Sequence, residues 1–330
     1  MVVRLHLNEN PWDLPPEAKA WVAAQRWHLY PDEALYDLVR AGVAAYWGIP
    51  TESVVLTNGA DEAIALLMLW HRRVAFWRPA FSGYAGVARG WELDAVEIPL
   101  GPDFEVPWDA MLEARDRLLF LDRPHNPSGM CLLGRAQLAD LLDRWQAWIV
   151  LDETYADFAR ESLTDMFDPE GRLIVLRSFS KSFCMAGLRL GFMAVPRSIL
   201  KPLEVRRLPF NVNRLALYTA LWVLERPETF QTYVAAVRQE RQAMLVRMAR
   251  LPGLRVWPSE AHFSLIQGPR PIEGLVRRVA EYGIQIRNLE NVVGPGAARV
   301  SVGRPEDNAQ FLDVLEAYYA AEISGRLAVS

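Results

Sequence analysis

Short apolar runs alternate with longer stretches of helical periodicity along most of the chain. An apolar run of roughly four to eight residues without polar alternation is typical of a strand buried on both faces. Such runs lie at 53–56, 73–77, 118–121, 148–151, 173–176 and 191–195. Helices are predicted between them, around 61–71 and 135–146. This order predicts an α/β fold whose central sheet is mostly parallel and flanked by helices.

The pattern changes after residue 210. A long helical stretch, broken near Pro227, is predicted to run through residue 250. Shorter strands are predicted beyond it, around 256, 263–266, 284–286 and 299–302. We therefore predict an amino-terminal arm (1–27), a large domain (28–210) and a smaller α+β carboxyl-terminal domain (211–330).

Composition narrows the range of partners. The formal net charge of the 330 residues is −4, and 36 basic residues are spread among 40 acidic ones, so no nucleic acid partner is expected. Cys131 and Cys184 are the two cysteines, which fits a reducing compartment. The amino terminus lacks the apolar core of a signal peptide, and no stretch approaches the roughly 18 apolar residues that span a bilayer. We expect a cytoplasmic protein with small-molecule partners, no membrane contact and no metal.

The most informative residue is Lys181, which lies between two hydroxyl residues just after a predicted buried strand. Arg189 follows eight positions later and could hold a phosphate. A lysine amine beside a bound phosphate suits condensation with an aldehyde, the chemistry of a pyridoxal 5′-phosphate (PLP) Schiff base.

Polar residues at other strand ends would complete such a site. Asp152 could face the pyridine nitrogen and keep it protonated, while Asn126 and Tyr155 could contact the phenolic oxygen. Each has an ordinary alternative, since an aspartate caps turns and an Asn-Pro pair starts them. Tyr84 could stack on the pyridine face, with Phe81 as a competing candidate.

A phosphate is expected to bind amide groups at a helix start, hydroxyls and a cation. The glycine turn before the predicted helix at 61–71 places such amides at the end of a strand, although any strand-to-helix loop would show similar residues. The residues predicted to hold the phosphate end of the cofactor are Ala60, Asp61, Glu62, Ser178, Ser180 and Arg189.

Together these residues resemble the class I and II aminotransferases of PLP fold type I, and the branch that acts on histidinol phosphate is the most similar. The resemblance covers nearly the whole chain in order. The segments that carry it are 8–11, 30–32, 59–64, 125–129, 152–155, 178–181, 186–191 and 299–303.

The resemblance implies further roles. Lys181 would bind the cofactor and then move a proton as general base. Arg299, Arg287 and Asn8 would contact the substrate. Tyr30 would reach the phosphate of a neighbouring subunit, which implies a homodimer with shared sites. The implied reaction is transamination between glutamate and imidazole acetol phosphate.

The sequence does not determine the identity of the substrate. Arg123, His125, His262 and Trp12 depart from the residues common in the family. An aromatic or broad-specificity aminotransferase and a decarboxylase of the threonine-phosphate type would share nearly all the site residues. A protein that binds PLP without turnover is an alternative of another class.

Overall fold

The structure is a computed structural model that describes residues 2–327. Met1 of the predicted arm and residues 328–330 of the predicted carboxyl-terminal domain lie outside the described residues. The strands are β1 (Val3–Leu5), β2 (Val54–Thr57), β3 (Arg73–Arg78), β4 (Asp94–Pro99), β5 (Leu118–Asp122), β6 (Ile149–Asp152), β7 (Leu173–Ser178), β8 (Gly191–Ala194), β9 (Arg255–Val256), β10 (Phe263–Gln267), β11 (Ile284–Asn288) and β12 (Ala297–Ser301). The helices are α1 (Pro16–Ala23), α2 (Glu33–Trp47), α3 (Gly59–His71), α4 (Ser82–Gly90), α5 (Trp108–Met111), α6 (Arg135–Arg144), α7 (Arg197–Glu204), α8 (Arg214–Leu224), α9 (Pro227–Met248), α10 (Glu273–Glu281) and α11 (Pro305–Leu327).

Within the described part of the chain, seven strands form the larger sheet in the order β2-β8-β7-β6-β5-β3-β4. The pairs from β7 to β4 are parallel, and β8 runs antiparallel to both of its neighbours. The predicted mostly parallel α/β sheet is therefore confirmed. The carboxyl ends of β5, β6 and β7 meet at one edge, which is where ligands collect in such sheets.

Both faces of this sheet are buried, which explains why its strands are continuously apolar. Leu119 and Leu121 of β5 pack into the core on one face, whereas Leu118 and Phe120 pack into a second core on the other. Successive side chains of a strand point to opposite faces, so a strand covered on both sides has no polar positions.

The second sheet joins the two ends of the chain. Its order over the described residues is β1-β11-β12-β10-β9, and β1 pairs in parallel with β11. Apolar residues of α9, α10 and α11 pack with this sheet into a separate core. The predicted division into an arm and two domains stays a prediction, although the arm contributes β1 to this sheet.

Two strands were missing from the sequence prediction. β1 has three residues, too few to set a pattern, and β4 is an edge strand whose side chains are mostly exposed.

Over residues 2–327, no helix has both the length and the apolar character needed to cross a membrane.

Candidate active site

A cavity of about 130 Å³ lies at the carboxyl edge of β5, β6 and β7. It is lined by Ala60, Asp61, Ile64, Phe81, Asp122, Asp152, Thr154, Tyr155, Ser178, Ser180, Lys181 and Arg189. A larger groove of about 720 Å³ beside α9 contains none of the predicted site residues. The chemistry predicted from the sequence is therefore concentrated in the smaller cavity.

Lys181 follows β7, and its amine reaches across the cavity to the amino-terminal segment. Nζ donates a hydrogen bond of 2.8 Å to the carbonyl oxygen of Asn8. Burial, with the positive charges of Arg299 and Arg189, lowers the pKa of Lys181 to about 8. Roughly a tenth of the amine is therefore neutral and nucleophilic at pH 7, far more than for an unperturbed lysine with a pKa of about 10.4.

Asp152 ends β6 and is held firmly at the cavity wall. Its Oδ1 accepts hydrogen bonds from the Thr154 backbone N–H at 3.0 Å and the Thr154 hydroxyl at 2.6 Å, and its Oδ2 accepts one from the Tyr84 hydroxyl at 2.8 Å. Burial raises the pKa of Asp152, while these hydrogen bonds act in the opposite direction. The result is an oriented carboxyl group that suits a protonated ring nitrogen.

Tyr84 does not lie against the cavity. It is 0% exposed and packs under the sheet, with its hydroxyl bound to Asp152. Phe81 lines the cavity instead, because it immediately precedes α4 whereas Tyr84 lies within the first turn. Of the two aromatic candidates, the structure therefore places Phe81 at the cavity wall, while the Tyr84 hydroxyl orients Asp152.

Asn8, Asn126 and Tyr155 come from distant parts of the chain and form one cluster around the Tyr155 hydroxyl. It accepts hydrogen bonds from the side-chain amides of Asn8 at 3.3 Å and Asn126 at 3.4 Å. Burial raises the pKa of Tyr155, and the nearby charge of Arg299 opposes that effect. The cluster presents two amide groups and a phenol to whatever occupies the cavity.

The start of α3 and Arg189 form one end of the cavity. Arg189 donates to the Asp61 carboxylate at 2.6 Å and, more weakly, to the Ser180 hydroxyl at 3.4 Å. Gly59 has φ of +71°, and a Cβ there would come within 2.6 Å of an Arg189 nitrogen. Glycine thus allows the helix start and the guanidinium to approach closely, which makes a cradle for an anion.

Glu62 lies outside this cradle. Its carboxylate accepts hydrogen bonds from the Asn58 backbone N–H and from the Asn211 side chain. The structure therefore does not bring Glu62 into the lining of the cavity, because its carboxylate closes the loop before α3 instead. Ser178 does line the cavity, and its hydroxyl accepts a hydrogen bond from the Ser180 backbone at 3.1 Å.

A second cavity of about 250 Å³ adjoins the first; Phe81, Tyr155 and Lys181 line both, and Asn126 lines the second. Arg287 and Arg299 face each other as register partners on β11 and β12 and line this second cavity. Arg299 donates to Asn126 Oδ1 at 2.6 Å and to the His6 carbonyl at 3.1 Å. Two guanidinium groups beside a nucleophilic amine predict an anionic substrate.

Tyr30 lies on the surface of the single chain. Its side chain is 76% exposed, stacks on Phe210 at 4.5 Å, and lines neither cavity. A single chain therefore does not bring Tyr30 into the site.

The unusual residues flagged in the sequence have structural partners. Arg123 donates to the Leu133 and Glu161 carbonyls, and His125 bridges Ser128 and the Pro79 carbonyl. Burial lowers the pKa of His125 to about 4.

His262 lies closer to Lys181 than these residues do. Its Nε2 donates to the Asn8 carbonyl at 2.8 Å, the same oxygen that Lys181 contacts. Burial, followed by the charge of Lys181, lowers the pKa of His262 to about 3, so the ring is neutral.

Sequence reasoning missed Asp122 and Thr154, both of which line the cavity. The available signal for Asp122 was its position at the end of a buried strand, the same signal that identified Asp152. Thr154 could have been found from its spacing, because a hydroxyl residue two positions after an aspartate commonly closes a turn with it.

Comparisons with known proteins agree with this geometry. The family model for aminotransferase class I and II matches residues 1–315. A histidinol-phosphate aminotransferase from Roseiflexus castenholzii is 34% identical, over 96% of this chain and 89% of its own length.

Solved structures with the same fold include the histidinol-phosphate aminotransferase from Clostridium acetobutylicum, with a TM-score of 0.89 and 20% identity over 97% of this chain and 100% of that one. The enzyme of the same name from Sinorhizobium meliloti, solved in complex with pyridoxal-5′-phosphate, has a TM-score of 0.87 and 19% identity over 97% of this chain and 91% of that one. At these identities the two structures establish the fold.

Proposed function

Because the chain belongs to the class I and II aminotransferases, PLP-dependent enzymes that act on amino and keto acids, we propose that it transfers an amino group from glutamate to imidazole acetol phosphate in histidine biosynthesis. The observation that carries this substrate is the pair of guanidinium groups, Arg287 and Arg299, in the cavity that Lys181 also lines. The name of the relative at 34% identity supports the same substrate.

The residues of the smaller cavity fit PLP. We propose that Asp152 binds the ring nitrogen, Phe81 covers the ring face, and Asn126 and Tyr155 bind the phenolic oxygen. The phosphate group would bind the residues of the cradle, which are Ala60, Asp61, Ser178, Ser180 and Arg189. When bound, the cofactor supplies an aldehyde that condenses with amines and a ring that accepts electrons from a breaking Cα bond.

Lys181 would act twice. Its amine would be the group that holds the cofactor through the aldehyde, and once displaced by a substrate amine, Nζ would carry the proton from the substrate Cα. The Asn8 carbonyl, 2.8 Å from Nζ, orients the amine between these tasks. Arg299 and Arg287 would hold the anionic end of the substrate so that the Cα–H bond faces Nζ.

The test of this function is a half-reaction titration. PLP-loaded protein is mixed separately with histidinol phosphate, histidinol, phenylalanine, tyrosine, leucine and glutamate, and loss of the visible-edge absorbance band is followed. We expect histidinol phosphate and glutamate to react at the lowest concentrations. A preference for phenylalanine or tyrosine would favour an aromatic aminotransferase. In a separate assay with threonine phosphate, release of carbon dioxide would favour a decarboxylase.

The substitution Arg299→Lys should specifically weaken the binding of the anionic substrate. Lysine keeps the charge but loses the planar fork, so we expect KM for histidinol phosphate to rise roughly tenfold to a hundredfold, as for a lost hydrogen bond to a charged group. The matched change is Arg287→Lys on the facing strand, which should act in the same direction but less strongly because Arg287 is exposed. Unchanged KM in both variants, measured with phosphorylated substrate, would contradict the proposal.

We also propose a homodimer with shared active sites, located in the cytoplasm. Support comes from an exposed apolar surface around Tyr30, where Phe210 is 53% and Leu208 is 71% exposed. Exposed apolar clusters commonly mark subunit interfaces. The mass in solution, measured by light scattering, should be twice that of the 37.5 kDa chain.

A complementation experiment tests the shared site directly. Dimers reconstituted from Lys181→Ala chains and Tyr30→Ala chains should regain activity above both parents, because one of the two sites then has an intact lysine and an intact tyrosine. If Tyr30 served its own subunit, the mixed dimer would contain no intact site and no gain would appear.

A further inference from the structure

Asp122 is a buried carboxyl group in the cofactor cavity to which neither the motifs nor the proposed chemistry gives a role. It ends β5 as Asp152 ends β6, and the two residues are register partners in parallel strands. Asp122 is 2% exposed, and both residues line the same cavity. Residues paired in this way project their side chains from the same face of a sheet, so two carboxyl groups stand side by side at one edge.

The two groups differ sharply in their hydrogen bonds. Three donors stabilise Asp152, namely the Thr154 amide, the Thr154 hydroxyl and the Tyr84 hydroxyl. Asp122 accepts one normal hydrogen bond, from the Asn126 backbone N–H to Oδ2 at 2.7 Å. Its other oxygen, Oδ1, is buried and has no hydrogen-bond partner among the described residues.

The charges around Asp122 also favour its neutral form. The titratable groups that act on it or respond to it are Asp152 on β6, Tyr84 on α4 and Tyr155 beyond β6. The cations Lys181 and Arg189 line the same cavity but do not outweigh the effects that raise the pKa of Asp122. Burial raises the pKa of Asp122 to about 8, opposed by the Asn126 amide and more weakly by the Phe81 amide, while the Asp152 charge adds to the increase. When two adjacent carboxyl groups accept unequal numbers of hydrogen bonds, their pKa values move apart, so that one is ionised and the other is protonated.

We propose that Asp122 is a second acid of the PLP site, a protonated carboxyl group that keeps its proton on Oδ1 and donates a hydrogen bond from there to the bound cofactor. This inference rests on the proposed cofactor site but not on the identity of the amino acid substrate. Oδ2 is engaged as an acceptor, so Oδ1 is the oxygen left to carry the proton. Through Oδ2, Asp122 also positions the loop that presents Asn126.

Infrared spectroscopy of the apoprotein tests the protonation without any turnover. We expect a carbonyl stretching band of a neutral carboxylic acid near pH 6.5, well below the pKa of about 8. The band should disappear as the pH is raised through that value, because the group is protonated below it and ionised above it. Asp122→Asn should remove the band, whereas Asp152→Asn should retain it. A band that persists in Asp122→Asn, or is absent from the unaltered protein, overturns the proposal.

Titration of the apoprotein with PLP tests the hydrogen bond. The amide of Asp122→Asn can replace both interactions of the acid, since its oxygen accepts from Asn126 and its NH₂ donates into the cavity. Asp122→Leu can replace neither, so we expect its affinity for PLP to be about tenfold lower than that of Asp122→Asn. Equal affinities would exclude the donor role.

These outcomes are independent of the substrate proposal. If histidinol phosphate fails to react in the half-reaction titration but the infrared band behaves as described, the substrate assignment is wrong and the second acid stands. If the band is absent while histidinol phosphate reacts, Asp122 is an ordinary carboxylate and the proposed function stands.

Discussion

Replacing Lys181 by alanine is expected to abolish the covalent attachment of PLP and to slow transamination by about 10⁴-fold. Proton transfer by a positioned side chain contributes up to about this factor, and Lys181 would also be the nucleophile that holds the cofactor. No neighbour can substitute for it. Asn8 offers a carbonyl oxygen at 2.8 Å, Tyr155 is a buried phenol with a raised pKa, and the ring of His262 is already engaged as a donor to Asn8.

The small number of lysines makes this prediction sharp. The chain contains three, Lys19, Lys181 and Lys201, and the other two are exposed on helices away from the cavity. Borohydride reduction of the loaded protein, followed by peptide mass analysis, should place the cofactor on Lys181 alone. Lys201→Ala serves as the control and should retain both the label and the activity. A label on another lysine, or a lysine-linked cofactor in Lys181→Ala, would refute the assignment.

Replacing Asp152 by asparagine is expected to lower kcat by about 10²- to 10³-fold while leaving PLP attached to Lys181. The substitution keeps the shape of the side chain but removes the negative charge that would keep the ring nitrogen protonated, and loss of one preorganised electrostatic interaction typically has an effect of this size. Because the cofactor's phosphate and its lysine linkage are untouched, the defect should appear in kcat rather than in cofactor occupancy.

A graded series separates charge from position. Thr154→Val removes the shortest hydrogen bond to Asp152, 2.6 Å, but keeps the carboxylate, so its kcat should fall less than that of Asp152→Asn. Cofactor occupancy is measured by absorbance in the same samples. An Asp152→Asn enzyme with the kcat of the unaltered protein would rule out the proposed contact with the ring nitrogen.

The sequence predicted the strands that carry the chemistry because each is buried on both faces. Leu118 to Leu121 and Leu173 to Leu176 are apolar at every position, and the polar residue at each strand end therefore stands out. This contrast located Asp152 and Ser178 at one edge of the sheet. β4 escaped prediction because an exposed edge strand gives no such contrast.

Side-chain direction was the part that the sequence could not supply. Phe81 and Tyr84 are three residues apart at the start of α4, and only the angle at which the chain enters the helix decides which ring faces the cavity. Glu62 likewise lies in the matched segment but turns toward Asn58 and Asn211. Asp122 was overlooked because the family motifs begin after it.

The pairing of the two chain ends has a consequence for biogenesis. The Asn8 backbone N–H donates a hydrogen bond of 3.0 Å to the hydroxyl of Ser301, 293 residues later, and β1 pairs with β11. A nascent polypeptide on the ribosome cannot assemble this pocket until Ser301 has emerged, since contacts so distant in sequence form only when both partners are available. Coenzyme capture should therefore follow the synthesis of residue 301, and chains terminated before that residue should be unable to retain vitamin B6.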